Sequence, residues 1–265
     1  MLVLLPRSVV VAAAVASAVA IAAAISPALA DRSEPAPKQL DGVGLVQKLD
    51  AQLPLDLSFA DEDGKAVRLA DLFHPSRPVI LTLNYYRCPM LCTLELTGLV
   101  NALKAVSLEP GRDYALVTLS IDPRETPALA KQKKATYVES LGRPGAEAGW
   151  RFLTGREDAI SALSAAVGFE YKYDPEQQQY AHPAAIFLVT PEGKISRVLS
   201  GVEFDPKTVR LALVEASRGR IGTPVDQFVL FCFHYDAEQG KYAPAAMRLM
   251  QLGGGLSALL LAAAL

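Results

Sequence analysis

The sequence has little cysteine. Three residues in 265, at positions 88, 92 and 232, are too few for a disulfide scaffold, and their spacing fits no zinc ribbon. Neither sign of charge prevails: 26 Lys+Arg stand against 28 Asp+Glu, so no basic field advertises binding to nucleic acid. There is no internal repeat. A 51% apolar content with 20% charged residues excludes a disordered chain.

What is present is unevenly distributed. Residues 1–30 carry one charge, Arg7, and residues 245–265 carry one, Arg248. The stretch between, 31–244, holds 24 basic and 28 acidic residues and reads as a mildly acidic domain between two apolar ends. The uncharged run 8–30 closes on Ala28-Leu29-Ala30 before Asp31, the small-residue pattern that signal peptidase needs. The run is longer than the usual apolar core of a signal peptide, so it could also stay uncleaved as an anchor. Either reading exports the domain, because the basic residue lies on the N-terminal side. Residues 249–265 form a second apolar run, broken only by Gln251 and Ser257 and apolar all round rather than on one face. That favours a membrane segment over a buried terminal helix. The expected organisation is a signal peptide or anchor at 1–30, a tether at 31–52 with a short helix around 43–49, and a folded domain at 53–220. An extension of unknown role at 221–244 and a C-terminal transmembrane segment at 245–265 follow.

Inside the domain, 55–59 and 67–69 read as strands around an Asp63-Gly64 turn. The run 78–84 is continuously apolar, as in a strand buried on both faces. A helix is expected over 93–106, where Leu96, Leu99, Val100, Leu103 and Val106 share a face. A strand at 114–121 follows, then a helix at 127–141 with Lys131, Lys133 and Lys134 on its solvated side. A short strand at 150–153 leads to a helix at 157–167 ended by Gly168. A hairpin of 184–189 and 195–199 turns through Thr190-Pro191-Glu192-Gly193, and a helix at 206–217 closes the domain. Alternating strands and helices imply an α/β fold with a central mixed sheet flanked by helices. The terminal hairpin and helix narrow it to a thioredoxin-like arrangement, with the apolar N- and C-terminal segments appended.

The chemical centre is Tyr85-Tyr86-Arg87-Cys88-Pro89-Met90-Leu91-Cys92, in the turn between the first buried strand and the first long helix. A helix N-terminus and Arg87 both favour thiolate over thiol. Two cysteines four apart at a helix start can face one another. They can bond reversibly as a disulfide or jointly hold a soft metal ion. Three residues separate them, where a thioredoxin-type redox motif has two, and no His follows Cys92 as haem attachment requires. A purely structural disulfide remains open for an exported chain.

Three further positions are candidates. His182, held extended by Pro183, precedes a core strand whose start would abut the cysteine turn, where an imidazole could complete a two-thiolate site. Otherwise it is an ordinary hydrogen-bonding residue. Asp122, in Ser120-Ile121-Asp122-Pro123-Arg124-Glu125-Thr126, sits at a strand end and reads either as a turn or helix cap or as an outer contact of the site. Cys232 and His234, two apart, could form a second soft-metal site or belong to a packed aromatic strand. His74, next to Pro75, reads as a loop residue.

Three segments in order resemble the Sco/SenC proteins: Tyr-x-x-Cys-Pro-x-x-Cys at 85–92, the run with Ser120, Asp122, Pro123, Thr126 and Pro127, and His182 ahead of Phe187-Leu188-Val189-Thr190-Pro191-Glu192-Gly193. The resemblance covers roughly residues 50–217. It implies a thioredoxin-like fold at the outer face of an energy-conserving membrane, and copper, as Cu(I) or Cu(II), held by Cys88, Cys92 and His182. It also implies a role in assembling the binuclear copper centre of cytochrome c oxidase, by delivering copper or reducing cysteines. The expected partners are the copper-bearing oxidase subunit and a periplasmic copper donor or thiol reductant. The expected location is the periplasmic face of the inner membrane. The family's usual anchor is N-terminal, so the C-terminal apolar run is a departure.

The leading reading is therefore a metallochaperone rather than an enzyme. A membrane-associated thiol–disulfide oxidoreductase acting through Cys88 and Cys92 is the alternative, and a purely structural tethered domain is the third reading.

Overall fold

The computed structural model describes residues 42–218 in full and the backbone of two strands at 233–236 and 241–244. The expectations for the two apolar ends and for Cys232 lie outside the described residues, as does the side chain of His234. Among the described residues no helix is long and apolar enough to cross a membrane.

The chain opens with β1 (Gly44–Leu45) and the hairpin β2 (Ser58–Ala60) and β3 (Ala66–Arg68). Strand β4 (Val79–Asn84) leads into helix α1 (Leu91–Ala105), then β5 (Ala115–Ser120) into α2 (Pro127–Leu141). A single helical turn, α3 (Ala146–Gly149), precedes β6 (Trp150–Leu153), and α4 (Glu157–Val167) follows. Three short strands, β7 (Phe169–Glu170), β8 (Lys172–Asp174) and β9 (Gln179–Ala181), lead to the hairpin β10 (Ala185–Val189) and β11 (Ile195–Ser200). Helix α5 (Pro206–Ala216) comes next, and β12 (Phe233–Asp236) and β13 (Lys241–Pro244) pair with each other.

The central sheet runs β11-β10-β4-β5-β6. Strands β4, β5 and β6 are parallel, and β10 is antiparallel to both β4 and β11. All six residues of β4 and all five of β10 are buried, because the sheet is covered on both faces. Strand alternation divides its side chains between two cores. Ile80, Leu116, Ile186 and Leu188 point to one face and meet Leu99 and Leu103 of α1, Tyr137 of α2 and Leu213 of α5. Leu81, Leu83, Val117, Leu119 and Phe187 point to the other and meet Ile160, Leu163 and Val167 of α4 with Phe59 and Phe169. Both cysteines of the pair lie at the edge of this second core.

Local chemistry sets the helix ends. Thr126 caps α2 by accepting from the Leu129 N–H, with Pro127 at the first helical position. Gly168 ends α4 at φ +73°, where a Cβ would fall 2.0 Å from the Val46 carbonyl oxygen, so only glycine fits. In α1, a Cβ on Gly98 would lie 1.9 Å from the Val202 carbonyl oxygen, and its absence lets the helix pack against that loop.

Two expectations fail. In place of a short helix around 43–49, Gly44 and Leu45 form β1 and pair with Glu170 and Phe169. A helix of two turns has little stability of its own, and the edge of β7 supplies backbone partners. Lys134 does not lie on a solvated face of α2: it is buried, with Nζ 2.6 Å from Glu62 Oε1 and 3.1 Å from Glu147. The turn between β2 and β3 carries Glu62 to it, a contact that periodicity within the helix does not encode. The β8–β9 hairpin, which leads directly to His182, carries no strong strand signal and is an element that sequence reasoning misses.

Candidate metal centre

The polypeptide leaves β4 at Asn84, turns through Tyr85 and Tyr86, and enters α1 at Leu91. Cys88 therefore precedes the helix and Cys92 lies in its first turn. The Cys88 N–H donates to the Tyr85 carbonyl at 3.1 Å and closes the turn. Backbone groups address both sulfurs: the Cys92 N–H donates to Cys88 Sγ at 3.3 Å, and the Tyr85 N–H to Cys92 Sγ at 3.4 Å. The two thiols are free and buried.

His182, just past β9, completes the cluster. Its Nε2 lies 3.2 Å from Cys92 Sγ. Its Nδ1 lies 2.8 Å from the Pro183 carbonyl oxygen. A carbonyl can only accept, so Nδ1 carries a proton there, and Nε2 is the ring nitrogen that faces the sulfurs. The ring packs against Tyr85 and Phe169, each with its centroid 5.8 Å away. The donor atoms of Cys88, Cys92 and His182 all lie within 4.8 Å of one another. Bonds of about 2.0–2.3 Å to sulfur and nitrogen, as at zinc, span roughly 4.6 Å across one ion, so three converging donors of this kind fit a single metal. Two thiolates and an imidazole suit Cu(I), and the same set accepts Cu(II).

The thiols are not equivalent. A hydrogen bond from Cys92 holds Cys88 down to about 3, overcoming burial that acts the other way. Burial, and then the hydrogen bond to Cys88, push Cys92 far above the ordinary thiol range. The pair thus shares a proton, with Cys88 as its thiolate member. Beside it, Glu95 of α1 is fully buried, and burial raises its carboxyl well above the usual range. All three candidate ligands are buried, whereas Met90 between the cysteines is 66% exposed, so solvent and partners meet the site along the 88–92 loop.

The other candidates fall elsewhere. Asp122 accepts from the Arg124 N–H at 2.9 Å and from its guanidinium at 2.8 Å through both carboxylate oxygens, so it forms a turn. It does not belong to the Cys-Cys-His cluster; it lines a cavity of about 490 Å³ next to the loop, with Tyr85, Arg87 and Pro89. His74 is an exposed loop residue whose Nδ1 faces Ser76 Oγ at 3.0 Å. Sequence reasoning misses Glu125, which is buried and accepts from the Tyr86 and Arg87 N–H groups at 2.7 Å each. It lies inside a segment already singled out, but local pattern does not reveal that its carboxylate turns inward.

A mixed sheet covered by helices, with two cysteines at the first α1 turn and a histidine ahead of β10, defines a thioredoxin-like domain with a Cys-Cys-His centre. A family model described as SCO1/SenC matches residues 47–216. The chain belongs to the SCO1/SenC family. It is 28% identical over 159 residues to the SCO1 protein homolog of Bacillus subtilis (strain 168), covering 56% of this chain and 74% of the relative. It is 29% identical over 145 residues to the mitochondrial SCO2 homolog of Bos taurus, covering 52% of this chain and 50% of the relative, so the match spans about half of that protein. The structure of BsSco, described as a member of the Sco family of cytochrome c oxidase assembly proteins with a disulfide switch, superposes with a TM-score of 0.50 at 25% identity. That alignment covers 65% of this chain and 98% of BsSco.

Proposed function

We propose that this protein is a copper-binding assembly factor for cytochrome c oxidase, with Cys88, Cys92 and His182 as ligands. The observation that carries the reading is the convergence of two thiols and one imidazole within 4.8 Å at a buried site in a member of this family. Soft sulfur donors select Cu(I), and binding needs both sulfurs as thiolates, so loading releases the proton that the pair shares. Cys88 is already biased to thiolate, and His182 presents Nε2 to the sulfurs. Oxidation of the pair to a disulfide removes two electrons and the one proton the pair shares, and abolishes both sulfur ligands, so copper retention is coupled to a thiol reductant. The copper cargo would come from a periplasmic donor and go to the copper-bearing oxidase subunit. The site would lie at the periplasmic face of the inner membrane, held there by the apolar ends.

Copper per chain, measured on the reduced full-length protein, tests this. Wild type should retain a single Cu(I), Cys88→Ser and Cys92→Ser should lose it, and His182→Ala should hold it more weakly. Undiminished loading in all three variants would sink the assignment.

A second reading, a thiol–disulfide oxidoreductase, is favoured by the depressed thiol of Cys88, the mark of an attacking cysteine. Cys88 would attack a partner disulfide and Cys92 would resolve the mixed disulfide. Cys92→Ser should then trap that mixed disulfide, and His182→Ala should leave oxidase assembly intact. Loss of assembly in His182→Ala cells, with no trapped species, favours copper transfer.

A further inference from the structure

The three ligands come from two separate pieces of chain. The cysteines ride on the turn after β4, and His182 follows the β8–β9 hairpin. One segment, residues 120–126 after β5, touches both. It is also the part of the family-like pattern to which the copper reading gives no task.

Toward the cysteines, Glu125 is the contact. Its carboxylate accepts from the Tyr86 N–H and the Arg87 N–H at 2.7 Å each, and from Ser120 Oγ at 2.6 Å. Two consecutive N–H groups immediately before Cys88 are thus gathered on one buried anion. Among the described residues no other element supplies those donors with partners, since the chain there has left β4 and has not yet entered α1. Charge-assisted bonds of this length are stronger than neutral ones and set direction as well as distance.

Toward the histidine, Arg124 is the contact. Asp122 grips its guanidinium through both carboxylate oxygens. The guanidinium lies over the Tyr173 ring at 4.7 Å and near the Tyr180 ring at 5.9 Å, and donates to the Tyr173 hydroxyl at 3.2 Å. Tyr173 and Tyr180 face each other across β8 and β9, with centroids 5.0 Å apart. Tyr180 lies two residues before His182 and packs on Tyr85 at 5.5 Å, and Tyr85 in turn meets the His182 ring.

We infer that residues 120–126 position the copper ligands: Glu125 shapes the cysteine turn, and Arg124, held by Asp122, clamps the hairpin that delivers His182. The inference rests on the copper reading. It assigns two positioning residues, each acting through a different ligand. Groups that orient metal ligands typically contribute about 10–100-fold to affinity.

The test combines Cu(I) competition against a chromogenic chelator with a measurement on the metal-free protein, the alkylation rate of the reduced thiols by iodoacetamide. Glu125→Ala should weaken Cu(I) binding about tenfold or more and speed alkylation of both cysteines, with cooperative thermal unfolding retained. Glu125→Gln keeps one acceptor oxygen and should fall between that variant and wild type, and it serves if Glu125→Ala does not fold. Arg124→Ala should weaken Cu(I) binding in the wild-type background but add nothing to His182→Ala, since the two act along one path. Folded Glu125 variants that match wild type in both assays would overturn the first half. A full Arg124→Ala effect surviving in His182→Ala would overturn the second. A wild type that binds no Cu(I) would instead sink the copper reading, and the alkylation comparison would still decide the role of Glu125.

Discussion

Glu62 and Glu95 are both buried carboxyls, and the fold treats them in opposite ways. Glu62 receives Lys134 Nζ at 2.6 Å, Arg151 Nη1 at 2.9 Å and the Phe152 N–H at 3.2 Å. Burial pushes it up, but these partners prevail and hold it below the usual carboxylate range. Glu95, three residues past Cys92, has no cation acting on it among the described residues. Burial pushes it well above that range, the Asn84 amide and the Ala185 backbone oppose this, and the charge of Cys88 adds to the rise. The edge of the sheet beyond β6 is thus fastened by a buried ion cluster, while beside the cysteine pair burial pushes a carboxyl up. The difference teaches where this fold tolerates buried charge. Where cations are brought in as partners the carboxyl is held low, and where burial acts without them, beside the cysteine pair, it is pushed up.

The largest way to break that contrast is Lys134→Met, which strips Glu62 of its buried partner. Loss of one member of such a pair should cost on the order of 3 kcal/mol, with Arg151 limiting the damage. Urea denaturation reads this, and copper loading of the folded fraction should not change. A cost under about 1 kcal/mol would mean that the cluster does not fasten this edge of the sheet.

Next comes the dependence on pH. The depressed carboxyl of Glu62 contributes stability that is present above the ordinary carboxylate range and lost as pH falls through its lowered value. The raised carboxyl of Glu95 contributes in the reverse sense, fully at low pH and progressively less as pH rises. Melting curves from about pH 2 to about pH 8 should therefore lose part of their acid limb in Glu62→Gln and part of their upper limb in Glu95→Gln. Identical profiles for the two variants would erase the distinction.

A finer probe is thiol reactivity. Alkylation of Cys88 should persist well below the ordinary thiol range, toward about 3, while Cys92 stays slow. If Glu95 is uncharged, Glu95→Gln leaves that profile in place, and a marked shift would show a carboxylate there. The smallest effect belongs to Lys131, which meets Asp63 at 2.8 Å on the surface. Lys131→Ala should give no measurable change in stability, because exposed pairs contribute little.

Much of the scaffold was legible. The helices 127–141 and 157–167 and the strand 150–153 are found where pattern placed them, since caps, proline and terminal glycine are local signals. Both cysteines, and the turn between strand and helix that carries them, were legible for the same reason. What was illegible depends on contacts between distant parts of the chain. Lys134 looked solvated because nothing within α2 announces Glu62, 72 residues away. Glu125 went unmarked in its segment because its inward turn is decided by the N–H groups of the cysteine loop. Gly44 and Leu45 became a strand because a free edge at β7 was waiting for them.

By itself the amino-acid sequence determined the class of fold, through the periods of its apolar residues, and the soft-donor chemistry of the cysteine pair, through its spacing at a helix start. Only the tertiary structure decided how closely His182 approaches those sulfurs, which thiol is held down and which pushed up, and which buried acids find cations. The physical reason is range. Periodicity and capping act over a few residues, whereas the Cys92–His182 contact closes across 90 positions. Burial, which sets each charge, exists only once both faces of the sheet are covered.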